Sequence, residues 1–303
     1  MKILSKLPLY LRFLFVSYGI GLLCFTALRL LFYFHNKEIG HDIPAATLVM
    51  SFIIGLRFDV VICSYILCLP CLLLGLLSFF KPLPLLLKTT TVITITLFGI
   101  AFFIAAADIP YYTQFNSRIS VAALNWADSP AVMFSVMFGE WFHWVLFLFF
   151  LVLLGIFAFL LTKAVAIQSA RHQPKAMNLL VFLLTGTLVF FGMRGRFETK
   201  SPIRWGTAFF SEYFFANQMA LNPVFTFIRT GLDAIKGEDR IDFIPDKEAL
   251  QLLKKNLGLP QSNDAISRRE NIGLEAKRMN VVLVLMESMS AGWLERYGNT
   301  SGL

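Results

Sequence analysis

The sequence predicts an α-helical polytopic membrane domain of about five transmembrane helices, followed by the truncated start of an α/β domain. Three observations carry this. Hydrophobic residues fill 57% of the 303 positions and charged residues only 15%, where a soluble domain carries about a quarter charged residues. The apolar residues gather in runs of the length, about 20 residues, that crosses a bilayer. Near the end, a short valine-rich run follows a polar stretch, the pattern of a strand buried on both faces of a parallel sheet.

The first candidate span covers roughly residues 9–34. It is too long for the apolar core of a signal peptide and more spans follow it, so it reads as an anchor. The second, at roughly 48–80, is too long for one upright helix and implies a tilt or an interfacial start. The third lies at about 89–107, the fourth at about 132–161 and the fifth at about 177–193. Between the third and fourth, residues 108–130 read as a polar loop holding Tyr111, Tyr112 and Trp126. Trp141 and Trp144 read as interfacial anchors at the head of the fourth span.

Orientation follows from Lys and Arg in the short flanks. With the N-terminus cytoplasmic, the inner segments hold Lys2, Lys6, Arg12, Lys81, Lys88, Lys163, Arg171 and Lys175, against Lys37 and Arg118 in the outer loops. Eight against two favours this orientation, and five crossings place everything after Met193 outside. The net charge of +8 is therefore explained by topology. Cations that bind nucleic acid would cluster on a soluble face, so no nucleic-acid partner is expected.

The composition shifts after about Gly231, with 18 charged residues between Leu232 and Asn280. Within that stretch, residues 249–257 have helical spacing, with Leu250, Leu253 and Leu257 on one stripe and Pro260 as the stop. Residues 261–277 read as a linker or surface segment. Val281 to Met286 are six apolar residues in a row, the predicted buried strand, and Glu287 and Ser288 follow at its carboxyl end, where α/β sheets place ligands.

The candidate functional residues are few. A carboxylate held at a strand tip suits a divalent metal, which makes Glu287 a candidate ligand; the plain alternative is a solvated strand end. Arg57 and Asp59 sit within the second span, where ionisable groups are paired, functional or snorkelling. Two residues apart on a helix, they do not face one another, so each needs another partner: a lipid headgroup, another helix or the interface. Arg194 and Arg196 emerge beside Lys200 and Arg204 on the outer face, against the topology bias, and read either as contacts to an anionic headgroup or as juxtamembrane structure. Cys24, Cys63, Cys68 and Cys71 all lie in apolar runs and read as small helix residues. His35, His41, His143 and His172 are scattered without metal spacing.

Four stretches, in order, resemble the lipoteichoic acid synthase family: Gly55-Leu56-Arg57-Phe58-Asp59, Arg194-Gly195, Ala220-Leu221-Asn222-Pro223, and Asn280-Val-Val-Leu-Val-Leu-Met-Glu287-Ser288. The tail from Tyr297-Gly298-Asn299 to Gly302-Leu303 is similar to the family's stretch after that strand. The resemblance implies a membrane phosphoglycerol transferase with a sulfatase-like domain, in the multi-pass setting of a bacterial cell membrane. It implies residues 1–195 as the transmembrane domain, 196–278 as extracytoplasmic juxtamembrane helices and linker, and 279–303 as the first strand of the sulfatase-like domain. Glu287 matches the family's first metal-ligand carboxylate, for Mn2+, Mg2+ or Zn2+. The implied donor is a membrane phospholipid and the implied acceptor an extracytoplasmic glycan or glycolipid. The nucleophile is expected beyond Leu303, so the chain as given is expected to be inactive. Phosphoethanolamine transferases, sulfatase-type hydrolases and a non-catalytic membrane anchor are the alternatives. Met286 and Ser288 flank the glutamate where phosphoethanolamine transferases typically carry Gly and Thr.

Overall fold

The computed structural model describes residues 9–40, 42–77, 84–128, 131, 135, 139–166, 175–196, 201–236, 244–259, 280, 282–283 and 294–297. It falls into two compact units, residues 1–239 and 240–303.

The first unit is a helical bundle. Helix α1 runs Leu9–His35, α2 Ala45–Leu77, α3 Pro84–Phe115, α4 Trp141–Ala166 and α5 Lys175–Arg194. Four of them are long and apolar enough to cross a membrane: α1, α2, α3 and α4. The expected fifth crossing is the shorter case. Lys175 and Asn178 occupy the first turn of α5, and among the described residues Leu179–Arg194 forms a shorter apolar helix. Helix α2 is central, packing on α1 and α5, while α4 packs on α1 and α3.

Several boundaries differ from the expected ones: α3 begins at Pro84 instead of about Thr89, and α4 runs Trp141–Ala166 instead of about 132–161. Helix α3 does not stop before Asp108 but continues through Tyr111 and Tyr112 to Phe115, so the expected loop over 108–130 is helix for its first two turns. A carboxylate ends an apolar run by hydropathy, but it ends a helix only where nothing neutralises it. The remainder of that segment is a 3-10 helix, Val121–Asp128. Helix α2 starts three residues before the expected span and runs through Pro70.

The apolar core explains much of the heavy use of phenylalanine. Between ring centroids, Phe98 lies 4.6 Å from Phe157, and Phe102 lies 5.7 Å from Phe157 and 5.2 Å from Phe25, all in the distance range that aromatic pairs favour. In lipid, helix association rests on such packing rather than on apolar burial from water. The four cysteines are free thiols in α1 and α2, three of them buried.

After α5 the chain turns back into the bundle. Helix α6, Phe214–Ala220, packs on α2, and α7, Pro223–Ile235, packs on α3 and on the 3-10 segment. Residues 201–236 thus belong to the bundle's unit, in the stretch expected as juxtamembrane helices and linker.

In the second unit, α8 spans Asp246–Leu257. It ends at Gly258, whose φ of 65° needs a residue without a Cβ; the expected stop, Pro260, lies outside the described residues. Leu253 and Leu257 of the expected stripe are 39% and 43% exposed, while Lys254 is buried. Of the predicted strand, only Val282 and Leu283 are described. Neither is in a strand and both are more than 80% exposed. A lone parallel strand has nothing to pair with, and the described residues contain no strand. Glu287 and Ser288 lie outside them.

Candidate functional site

Four ionisable side chains gather where α6 meets α7. Arg29 of α1 forms a two-pronged ion pair with Asp59 of α2: Nη1 donates to Oδ2 at 2.6 Å and Nη2 to Oδ1 at 2.8 Å. Arg118, just past α3, pairs with Asp108 within it, and the Ile119 amide donates to the other Asp108 oxygen at 2.7 Å. All four side chains are almost wholly shielded. Burial lowers the pKa of the Arg118 guanidinium, and Asp108 opposes that shift.

Local sequence explains how Arg29 reaches Asp59. Gly55 and Asp59 are one turn apart on the same face of α2. A Cβ on Gly55 would meet the Arg29 guanidinium carbon at 2.5 Å and Nε at 2.6 Å. The glycine is the slot through which the arginine passes.

The two arginines hold more than carboxylates. The chain breaks at Leu221 and Asn222, so the last carbonyls of α6 lack helical partners. Arg29 Nε donates to Met219 O at 3.0 Å, Arg118 Nε to Gln218 O at 2.7 Å, and Arg118 Nη2 to Met219 O and Leu221 O at 3.3 and 3.2 Å. Two cations thus cap a helix C-terminus, the end its dipole makes negative. On the other side of the break, Asn222 Oδ1 accepts from the Val224 and Phe225 amides, capping α7 ahead of Pro223 at its first position. The Asn222 Nδ2 donates to Asp59 Oδ1 at 2.7 Å. Irregular backbone at membrane depth is tolerated only when protein satisfies it in this way.

Aromatic rings close the site. The Arg118 guanidinium carbon sits 3.8 Å from the Phe32 ring centroid, a cation–π contact. Phe215 of α6 stacks on Phe32 at 5.7 Å, and Tyr112 meets Phe32 edge-on at 4.9 Å. Ser51 of α2 donates to Ala216 O at 2.9 Å, fixing α6 from a third side. A cavity of about 20 Å3, lined by Arg29, Asp59, Arg118 and Asn222 among others, has room for one water.

The sequence-predicted residues divide. Asp59 is fully buried and makes an interhelical contact, with Arg29 and Asn222 as its partners. Arg57 points away from it, is exposed, and donates from Nη2 to Gly195 O at 3.3 Å. Arg194 closes α5 and its carbonyl accepts from Ile203 N at 3.1 Å. Arg196 donates to Thr207 Oγ1. Arg57, Arg194 and Arg196 therefore frame the end of α5, a place separate from the buried ion pairs. Sequence reasoning passed over Arg29, Asp108 and Arg118 as site residues; the available signal was that Arg29 in α1 and Asp108 in α3 are charges of opposite sign within apolar helices.

Among the described residues no three His, Cys, Asp or Glu side chains gather to hold a metal. Asp59 and Asp108 are each committed to an arginine, and no nucleophile faces the cavity. The buried charges can lock helices together. Family models, curated proteins and solved structures give no match to this chain.

Proposed function

We propose that this chain is the membrane part of a lipoteichoic acid synthase-like transferase that moves phosphoglycerol from a membrane phospholipid to an extracytoplasmic glycan or glycolipid acceptor. One observation supports the reading above all. Three of the stretches on which the resemblance rests, far apart in sequence, meet in space: Asp59 accepts from Asn222, and Arg57 of the same stretch donates to Gly195. Motifs that gather act together more readily than motifs that match by chance.

In this reading α5 is a fifth crossing. Its 20 residues rise about 30 Å, the hydrocarbon thickness. The N-terminus is then cytoplasmic and α6, α7 and the second unit are extracytoplasmic. The cations at the end of α5, the exposed Arg57 and Arg204 with the part-buried Arg194 and Arg196, offer an anionic headgroup a place beside the bilayer surface. Glu287 would supply the first carboxylate of a Mn2+, Mg2+ or Zn2+ site that polarises the headgroup phosphate. Glu287 lies outside the described residues.

The test uses the product of the whole reading frame, reconstituted in vesicles containing phosphatidylglycerol or phosphatidylethanolamine with a labelled headgroup. Release of diacylglycerol from phosphatidylglycerol, abolished by Glu287→Ala, is the expected result. Turnover of phosphatidylethanolamine alone assigns the other headgroup and overturns the phosphoglycerol reading. No turnover of either lipid, with the protein folded, leaves the anchor reading.

A further inference from the structure

Helix α7 has two unlike faces. Thr226 and Thr230 turn toward the segment after α3: Thr226 Oγ1 donates to Ile119 O at 3.0 Å and the Val121 amide donates to Thr230 Oγ1 at 2.9 Å. Opposite them, Ile228, Leu232 and Ile235 form a stripe that is 47%, 46% and 84% exposed. Arg229, Asp233 and Lys236 flank it, the first two as an exposed pair at 3.7 Å.

Depth decides what covers this stripe. The His35 ring stacks on Phe142 at 4.1 Å between centroids, beside Trp141 and Trp144, which are 77% and 54% exposed. Exposed tryptophans at the head of an apolar helix mark the membrane interface. Arg29 lies six residues inside His35 on α1, about 9 Å below that level at 1.5 Å per residue. Asn222 is bonded to Arg29's partner Asp59, so α7 starts at that depth, within the apolar zone. Even an upright α7 would bring Ile228 only about level with the tryptophans, and Leu232 about 6 Å above them. The headgroup layer is about 5–7 Å thick on each side. Ile228 and Leu232 therefore stay within lipid reach at any tilt, and a tilt brings Ile235 there too.

We infer that α7 is an interfacial helix whose Ile228, Leu232 and Ile235 stripe lies against the acyl chains of the leaflet at the His35 end, with Arg229 and Lys236 reaching the lipid phosphates. The combination of an apolar stripe with flanking cations is the one that seats a helix in a bilayer surface. The inference needs only that the four long helices lie in a bilayer; it does not depend on the transferase reading, and it survives or fails independently of the headgroup assay.

Benzoylphenylalanine placed singly at Leu232, Ile235 and Asp233, in protein held in native membrane vesicles, reads the occupant directly. Photolysis is expected to give lipid-mass adducts at Leu232 and Ile235 severalfold above those at Asp233. Adducts to residues 240–303 or to another protein, or no adduct above the Asp233 level, overturn the inference. A Leu232→Trp variant gives a second readout: its added fluorescence is expected to be quenched by lipids brominated near the headgroup and protected from iodide, and the reverse pattern counts against lipid contact.

Discussion

Gly55 shows how one missing methyl group sets a charge network. Its side of α2 is open only because no Cβ is there, and the Arg29 guanidinium fills the opening on its way to Asp59. Gly55→Ala is expected to evict Arg29 and leave Asp59 buried against Asn222 alone. Removing one partner of a buried pair costs about 3–5 kcal/mol, whereas replacing both with apolar groups is often neutral. Gly55→Ala and Asp59→Asn should therefore lower the midpoint of thermal unfolding in detergent strongly, and the double variant Arg29→Met with Asp59→Leu should recover much of the loss. If the double variant is no more stable than Asp59→Asn, the pair holds the fold by more than charge neutralisation. At this scale the sequence was only half legible. Asp59 stands out in any hydropathy reading, but its partner does not, because a lone Arg near a helix end reads equally well as snorkelling. Met219, the next link, is 190 residues from Arg29, and no local periodicity encodes a contact at that range.

The break between α6 and α7 is the element that the arginines exist to satisfy. Asn222 serves both sides of it, capping α7 with its carbonyl oxygen and bonding Asp59 with its amide. A lost N-cap costs about 1 kcal/mol and a lost hydrogen bond to a charged group about 1.5–3 kcal/mol. Asn222→Ala is expected to destabilise by about 2–4 kcal/mol on these figures and to raise protease cleavage between residues 201 and 236 before the long helices unfold. Asn222→Asp should be worse, since it sets a second carboxylate against Asp59. Equal loss of all helices together would show that α6 and α7 are not a separately opening unit. Helices were legible in the apolar runs, within a few residues for α1 and α5. The end of α3 was not, because the signal that stops a hydropathy run, Asp108, is cancelled by Arg118 ten residues later. Of the valine-rich run after Asn280 only Val282 and Leu283 are described, and neither lies in a strand; a strand is completed by neighbours as well as by its own pattern.

Over the whole molecule, the charge bias that argues for a cytoplasmic N-terminus becomes cleaner once the structure is taken into account. Arg12 and Arg118 are both buried, and neither acts as a free flanking charge. Without them the tally is seven inner cations, Lys2, Lys6, Lys81, Lys88, Lys163, Arg171 and Lys175, against Lys37 alone. Alkaline phosphatase fused after Lys236 should be active and fused after Arg171 inactive, with the opposite result for a fluorescent protein that folds only in the cytoplasm. Activity at both sites or neither would remove α5 as a crossing.

The distances in sequence between the partners of the buried site also impose an order of assembly. Arg29 and Asp59 are made 30 residues apart, so α1 and α2 can leave the insertion machinery as a hairpin whose opposite charges already cancel. Arg118 arrives with Asp108 in the same way. The carbonyls that both arginines bind are synthesised about 100 residues later still, after α4 and α5 have been threaded. Docking of α6 thus follows insertion of the long helices, and a ribosome stalled before Phe214 would hold those helices around an empty berth.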